Sequence, residues 1–283
     1  MPTSALLAAL ACAVGISLST AVQHHASAGT PHHVEGYLRL MGHLVRSPLW
    51  LLGQVLSLTS FALHGLALQL GALAVVQPVV VGGMVLAVPV RAALGRQRPS
   101  AVELRAVALT GIGLAVLVRL TRPDVRIPGP ADVPAALVLT AVGLTLVLLT
   151  HVCAGRTHHL TRRSALLGAT AGVLFGLMAG LLKLEVSLAR DIGPLASLGD
   201  WPVWALVLTG VAGTAVNQEA YRGAALSASM PVLNIVDVVV ALAFGLAAFG
   251  EVPAHSAGVV LLDCLALGCV AVGLRRLTAR EVA

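Results

Sequence analysis

Charged residues are scarce in this chain. Asp, Glu, Lys and Arg make up 11% of its 283 residues, less than half of the about 25% that a soluble domain carries. With 58% hydrophobic residues and a mean hydropathy of +0.93, the composition excludes a soluble globular protein, a disordered chain and a disulfide scaffold. What is left is a polytopic membrane protein. Other absences narrow it further. The four cysteines, Cys12, Cys153, Cys264 and Cys269, lie in apolar stretches with no CxxC, so they read as small hydrophobes rather than metal or redox groups. No GxSxG, HExxH or P-loop occurs, and no stretch outside the apolar runs is large enough to hold a catalytic domain. No enzyme, and no cofactor, is expected. A net charge of +6 and a pI near 9.9 accompany no nucleic-acid motif, so no nucleic-acid partner is expected. The 18 Lys and Arg residues read instead as loop residues that orient the chain in a lipid bilayer.

What is present is apolar length. Crossing about 30 Å of hydrocarbon takes roughly 20 apolar residues as helix, because lipid cannot satisfy a backbone polar group. Nine such spans are predicted, at about 4–22, 49–69, 72–94, 101–120, 133–152, 164–187, 202–220, 229–250 and 256–275. Polar punctuation separates them, except for very short breaks near Gly71 and Gly223. Trp50, Trp201 and Trp204 stand at span starts as interfacial anchors. Ala26-Ser27-Ala28 looks like a leader-cleavage site, but no Lys or Arg precedes it, so residues 4–22 are read as a retained span. Alternating the loops puts thirteen basic residues on one side and five on the other. The expected location is the plasma membrane, multi-pass, with the N-terminus outside and the C-terminus cytoplasmic.

The chain also echoes itself. The segments starting at Ala67 and Ala220 match at a constant offset of 153, pairing Ala72, Leu73, Pro78, Val79 and Val85 with identical residues. The loops that follow differ in charge, with Arg91, Arg96, Arg98 and Arg105 in the first and no Lys or Arg around Glu251 in the second. Opposite loop charge is what inverted copies show. The expected fold is all-α: two inverted four-helix repeats, 1–122 and 161–283, joined by a connecting helix in 123–160.

Several stretches carry a family resemblance: Ser19 to Ala26, Pro48 to Gly53, Leu70 to Pro78, Val173 to Lys183, Asn217 to Asp237, and Phe249-Gly250-Glu251. In order and spacing the chain resembles the drug/metabolite transporter (DMT) superfamily, nearest the branch of NIPA-like magnesium transporters and EamA-like permeases. The resemblance implies an integral membrane secondary transporter moving a small solute by alternating access. It also implies, as a second reading, a magnesium or other divalent-cation transporter. A third reading, from a different class, is a membrane scaffold without transport. The chain departs from the family's frequent Gln or hydroxyl residues at Asn217 and Glu219, so the substrate does not carry across.

A charge at mid-bilayer costs about 2.5–3.5 kcal/mol on insertion scales, so membrane-embedded polar residues mark candidate sites. Asp237 lies in the eighth span, six residues after Pro231, with Asn234 one turn before it on the same face, and Asp263 is similarly deep in the ninth. Asn217, Glu219 and Tyr221 close the seventh span; the bland reading has Glu219 pairing with Arg222 at the interface. Lys183 is expected either to meet a carboxylate or anionic substrate or to snorkel toward the surface. Gln77, just before Pro78, and His64 complete the candidate substrate or coupling set. Interhelical packing contacts are the competing account of each. Five histidines in 24–43 lack the fixed spacing of a zinc site, and residues 36–46 suit a short interfacial helix. The expected partners are the bilayer and a small-molecule or cation substrate; proton coupling through a carboxylate and a homodimer are compatible with the pattern.

Overall fold

A computed structural model of the protein describes residues 3–28, 46–83, 125–223 and 226–251, with isolated residues in 101–116 and at 268 and 272. The predicted spans at 101–120 and 256–275, residues 84–94 of the third span, and nearly all of the histidine-rich loop lie outside the described residues, as does Asp263. The nine-span count and the inverted pairing therefore reach beyond what is described. Among the described residues every regular element is helical: α1 (Thr3–Ala28), α2 (Pro48–Leu70), α3 (Leu73–Gly82), α4 (Val133–Arg156), α5 (Leu160–Ile192), α6 (Pro194–Ser197), α7 (Trp201–Gly223) and α8 (Leu226–Phe249). Four stretches among them are long and apolar enough to cross a membrane: Pro48–Leu70, Pro130–Arg156, Leu160–Ile192 and Val232–Phe249.

Local chemistry sets the boundaries. Ser47 caps α2 by accepting from the Trp50 N–H at 3.4 Å, and Pro48 follows in the first turn, where its missing N–H costs nothing. A 3-10 turn, Pro130–Asp132, leads into α4, and Asp132 accepts from the Gly129 N–H at 2.9 Å while pairing with Arg126 at 3.0 Å. Helix α5 runs longer than the expected 164–187 at both ends. Arg162 and Arg163 at one end and Arg190 and Asp191 at the other add polar turns that helical hydrogen bonding carries past the apolar stretch. At about 1.5 Å per residue its 33 residues extend roughly 50 Å, more than a hydrocarbon core needs.

The bundle is apolar outside and partly polar within. Leu137, Val138, Val142 and Leu148 of α4 and Trp204, Val207, Leu208 and Val211 of α7 are exposed, whereas His64, Gln77, Lys183, Asn234, Asp237 and Glu251 are buried. Water would oppose so broad an apolar surface, whereas lipid tails match it. Helix α5 forms the axis, packed by α8, α7 and α4 and, around Leu182 and Val186, by α2.

Close packing along that axis comes from glycine. Gly168, Gly172, Gly176 and Gly180 recur one turn apart on α5 and face α8. A Cβ at the first three would stand 2.5, 2.6 and 2.7 Å from the carbonyl oxygens of Ser229, Leu233 and Asp237; at the fourth it would strike the Phe244 ring at 2.5 Å. Backbone meets backbone, as in small-residue seams of membrane helices, where apolar side chains gain nothing over lipid and close dispersion contact supplies the attraction. Gly172 and Gly176 thus seat the backbone of Asp237 against α5. Replacing Gly172 with Leu should wedge α8 away and lower the melting temperature in detergent, at a cost of at least the about 1–3 kcal/mol typical of overpacking. Gly155→Ala, where a Cβ meets nothing within 4 Å, should melt like the parent or slightly higher.

Candidate functional site

Two polar layers sit on one side of α3. The first lies where α2 gives way to α3. Gly71 and Ala72 are both extended, which ends one helix and starts the next and strands their terminal carbonyl and N–H groups away from water. Lys183 and Glu251 satisfy them. The Lys183 ammonium donates to the Gly71 carbonyl at 2.9 Å and to the Glu251 carboxylate in a short contact, and lies 5.9 Å from the centre of the Phe249 ring. The other Glu251 oxygen accepts from the Leu73 N–H at 2.9 Å, placing negative charge at the start of α3, where the helix dipole favours it. Gln69 adds a donor to the Lys183 carbonyl at 3.1 Å. Glu251 reaches this position because Gly250, at φ +63°, turns the chain sharply after α8, and because Gly245 carries no Cβ, which would stand 2.6 Å from the carboxylate. Lys183 is 0% exposed, which replaces the snorkelling account. A four-carbon stem entering the bundle centre cannot reach the interface, and a carboxylate from another helix receives its charge instead.

One turn along α3, about 6 Å away, Gln77 donates from Nε2 to Asp237 Oδ1 at 2.7 Å. His64 of α2 adjoins Gln77. Asn234 lies one turn before Asp237 on α8, also buried. This layer draws on α2, α3 and α8, so it joins the N-terminal helices to the C-terminal ones. It is incompletely satisfied: Gln77 Oε1 and His64 Nε2 are buried without a hydrogen-bond partner. Pro78 cannot donate to the Ala74 carbonyl, leaving that group short of its helical donor as well. A native core tolerates few such atoms, and here they cluster beside a buried carboxylate.

The remaining sequence candidates stand elsewhere. Glu219 pairs with Arg163 at 2.6 Å across the contact between α5 and α7, at the opposite end of the bundle. Both partners are more than a third exposed, so this is a surface pair of small worth; the side chain of Arg222, the expected partner, lies outside the described residues. Asn217 lies on the stripe of α7 that faces α5, between Gly213, beside Phe175, and Ala220, whose carbonyl accepts from Ser164 at 3.3 Å. The Tyr221 side chain lies outside the described residues. Glu251 and the glycine stripe escaped the sequence reading. Both had signals there: a lone acid directly after Phe249-Gly250, matching the need of Lys183 for a counter-charge, and glycine at every fourth position of 168–180.

In comparisons with known proteins, no family model and no solved structure matches the chain. An uncharacterized protein of Corynebacterium glutamicum is 30% identical over 256 residues, covering 87% of this chain and 85% of the relative.

Removing one partner of a buried ion pair strands the other, at about 3–5 kcal/mol. Lys183→Met and Glu251→Leu should therefore each lower the melting temperature in detergent substantially. The double substitution should recover part of the loss but not all, since the Gly71 carbonyl and Leu73 N–H remain unpaired. Additive losses in the double variant would show that the two side chains do not act as a pair.

Proposed function

The chain belongs to the same family as that Corynebacterium glutamicum protein, and we propose that it is an integral membrane secondary transporter of the drug/metabolite type, moving a small solute by alternating access. The observation that carries this reading is the buried, incompletely satisfied layer of His64, Gln77 and Asp237 in an apolar bundle. Membrane proteins place ionisable residues in the bilayer where a substrate or proton passes. Asp237 is the coupling carboxylate, Gln77 holds it, and His64 and Asn234 complete the wall.

The distribution of contacts supports a rocking motion. Among the described residues, hydrogen bonds that join α1–α3 to α4–α8 cluster from the centre toward the end that carries Gly71: Gln69 to Lys183, Lys183 to Gly71, Leu73 to Glu251, and Gln77 to Asp237. At the opposite end, Ser19 bonds to Gly53 within the first group, and Arg163 to Glu219 and Ser164 to Ala220 within the second. The Lys183–Glu251 layer is thus a clamp that closes one entrance. Loop charge puts that entrance on the outer face of the plasma membrane, with Arg163 toward the cytoplasm. The two halves act as inverted repeats rocking about the Asp237 layer.

The test needs no knowledge of the solute. In a cysteine-free background, Asn234→Cys should react with a membrane-impermeant thiol reagent from the Arg163 side of sealed vesicles. Adding Lys183→Met should open reaction from the Gly71 side as well. Protection from both sides in both forms would reject the alternating-access reading.

A further inference from the structure

Resting on that transporter reading, we propose that the Asp237 layer recognises a monovalent organic cation, through the ammonium head of a primary amine.

Charge accounting points there. Five acidic side chains are buried or paired in the described bundle. Glu251 receives the charge of Lys183, Asp132 that of Arg126, and Glu219 that of Arg163. Glu185 lies near the end of α5, beside Ser197 and toward Asp200. Asp237 alone stands buried in the central layer, held by a neutral amide, and among the described residues no Lys, Arg or His lies within ion-pair distance of it. A buried carboxylate with no counter-charge is costly, and a cationic ligand offsets that cost while bound.

The hydrogen-bonding inventory gives the same sign. Gln77 commits an N–H to Asp237, so what it offers a ligand is its unpartnered oxygen. The His64 imidazole faces the Gln77 amide, its Nε2 has no hydrogen-bond partner, and in the Nδ1–H tautomer that atom supplies a lone pair. Carboxylate, amide oxygen and imidazole nitrogen make three acceptors, which is the complement of the three N–H donors of a primary ammonium. A quaternary ammonium would leave the amide and imidazole unpaired. An anionic solute would place its charge against Asp237, and the one buried lysine is already held by Glu251 and the Gly71 carbonyl. Magnesium keeps several waters and is held through one or two carboxylates; among the described residues no three His, Cys, Asp or Glu side chains converge, so the melting series includes it as a competing ligand.

The experiment is a melting series on the purified full chain in detergent, at matched ionic strength, with n-butylammonium chloride, tetraethylammonium chloride, sodium butyrate and magnesium chloride. Butylammonium should raise the melting temperature, by about 5–10 °C at a hundredfold excess over its Kd, and the other three should not. Asp237→Asn, which keeps the side-chain shape, should abolish the shift, and Gln77→Leu should weaken binding roughly 10–100-fold. Gly155→Ala should leave it unchanged. Should Asp237→Asn fail to melt cooperatively, Gln77→Leu and direct calorimetry of butylammonium binding to the parent carry the test. A shift with butyrate or magnesium equal to that with butylammonium overturns the assignment, as does no butylammonium shift at all. Either result leaves the transporter reading standing if Asn234→Cys is still reached from the Arg163 side and, with Lys183→Met added, from the Gly71 side as well. Butylammonium binding at a site that is never reached from either side would keep the ligand class and discard transport.

Discussion

A chain that breaks one helix and starts the next inside an apolar bundle leaves the ends of both where water cannot reach them. The link between α2 and α3 is such a place, and the Lys183–Glu251 pair is what makes it tenable. One carboxylate oxygen answers the first N–H of α3 while the other answers the lysine, and the lysine answers the last carbonyl before the break. The pair is therefore less an attraction between two charges than a shared solution for four polar groups. That is why it is built from three separated parts of the chain, and why it sits beside, rather than within, the layer that carries the free carboxylate.

The two layers differ in how fully they are satisfied, and that difference gives them different work. Around Lys183 the ammonium, the carboxylate, the Gly71 carbonyl and the Leu73 N–H all find partners and only Gln69 Oε1 is left over, so the layer holds helices together. Around Asp237 the amide oxygen of Gln77 and the Nε2 of His64 are left over. Only about one helical turn separates them along α3. The glycine stripe of α5 fixes where the Asp237 backbone stands, and from there its carboxylate accepts from Gln77 of α3.

Much of the architecture was legible from composition and punctuation. The spans read at 49–69, 133–152, 202–220 and 229–250 fall on α2, α4, α7 and α8 to within a few residues, because the length of an apolar run and the requirement for internal hydrogen bonding leave little choice of structure. The tight break at Gly71 was legible too, from the single glycine between two apolar runs. The role of Lys183 was not. Sequence spacing tells which face of a helix a residue occupies but not what lies opposite, and Glu251 is 68 positions away. Glu219 shows the same limit, since Arg163 is 56 positions from it while Arg222 is its neighbour along the helix.

By itself, then, the sequence determined that the chain is helical, rich in apolar segments of membrane-crossing length and stocked with a few embedded polar residues, since hydropathy and helical period are local properties that each segment carries alone. Tertiary structure decided which of those residues meet. It gave Lys183 a counter-ion and left Asp237 with an amide, because pairing between helices depends on how closely backbones approach, and four glycines on α5 set that approach for α8.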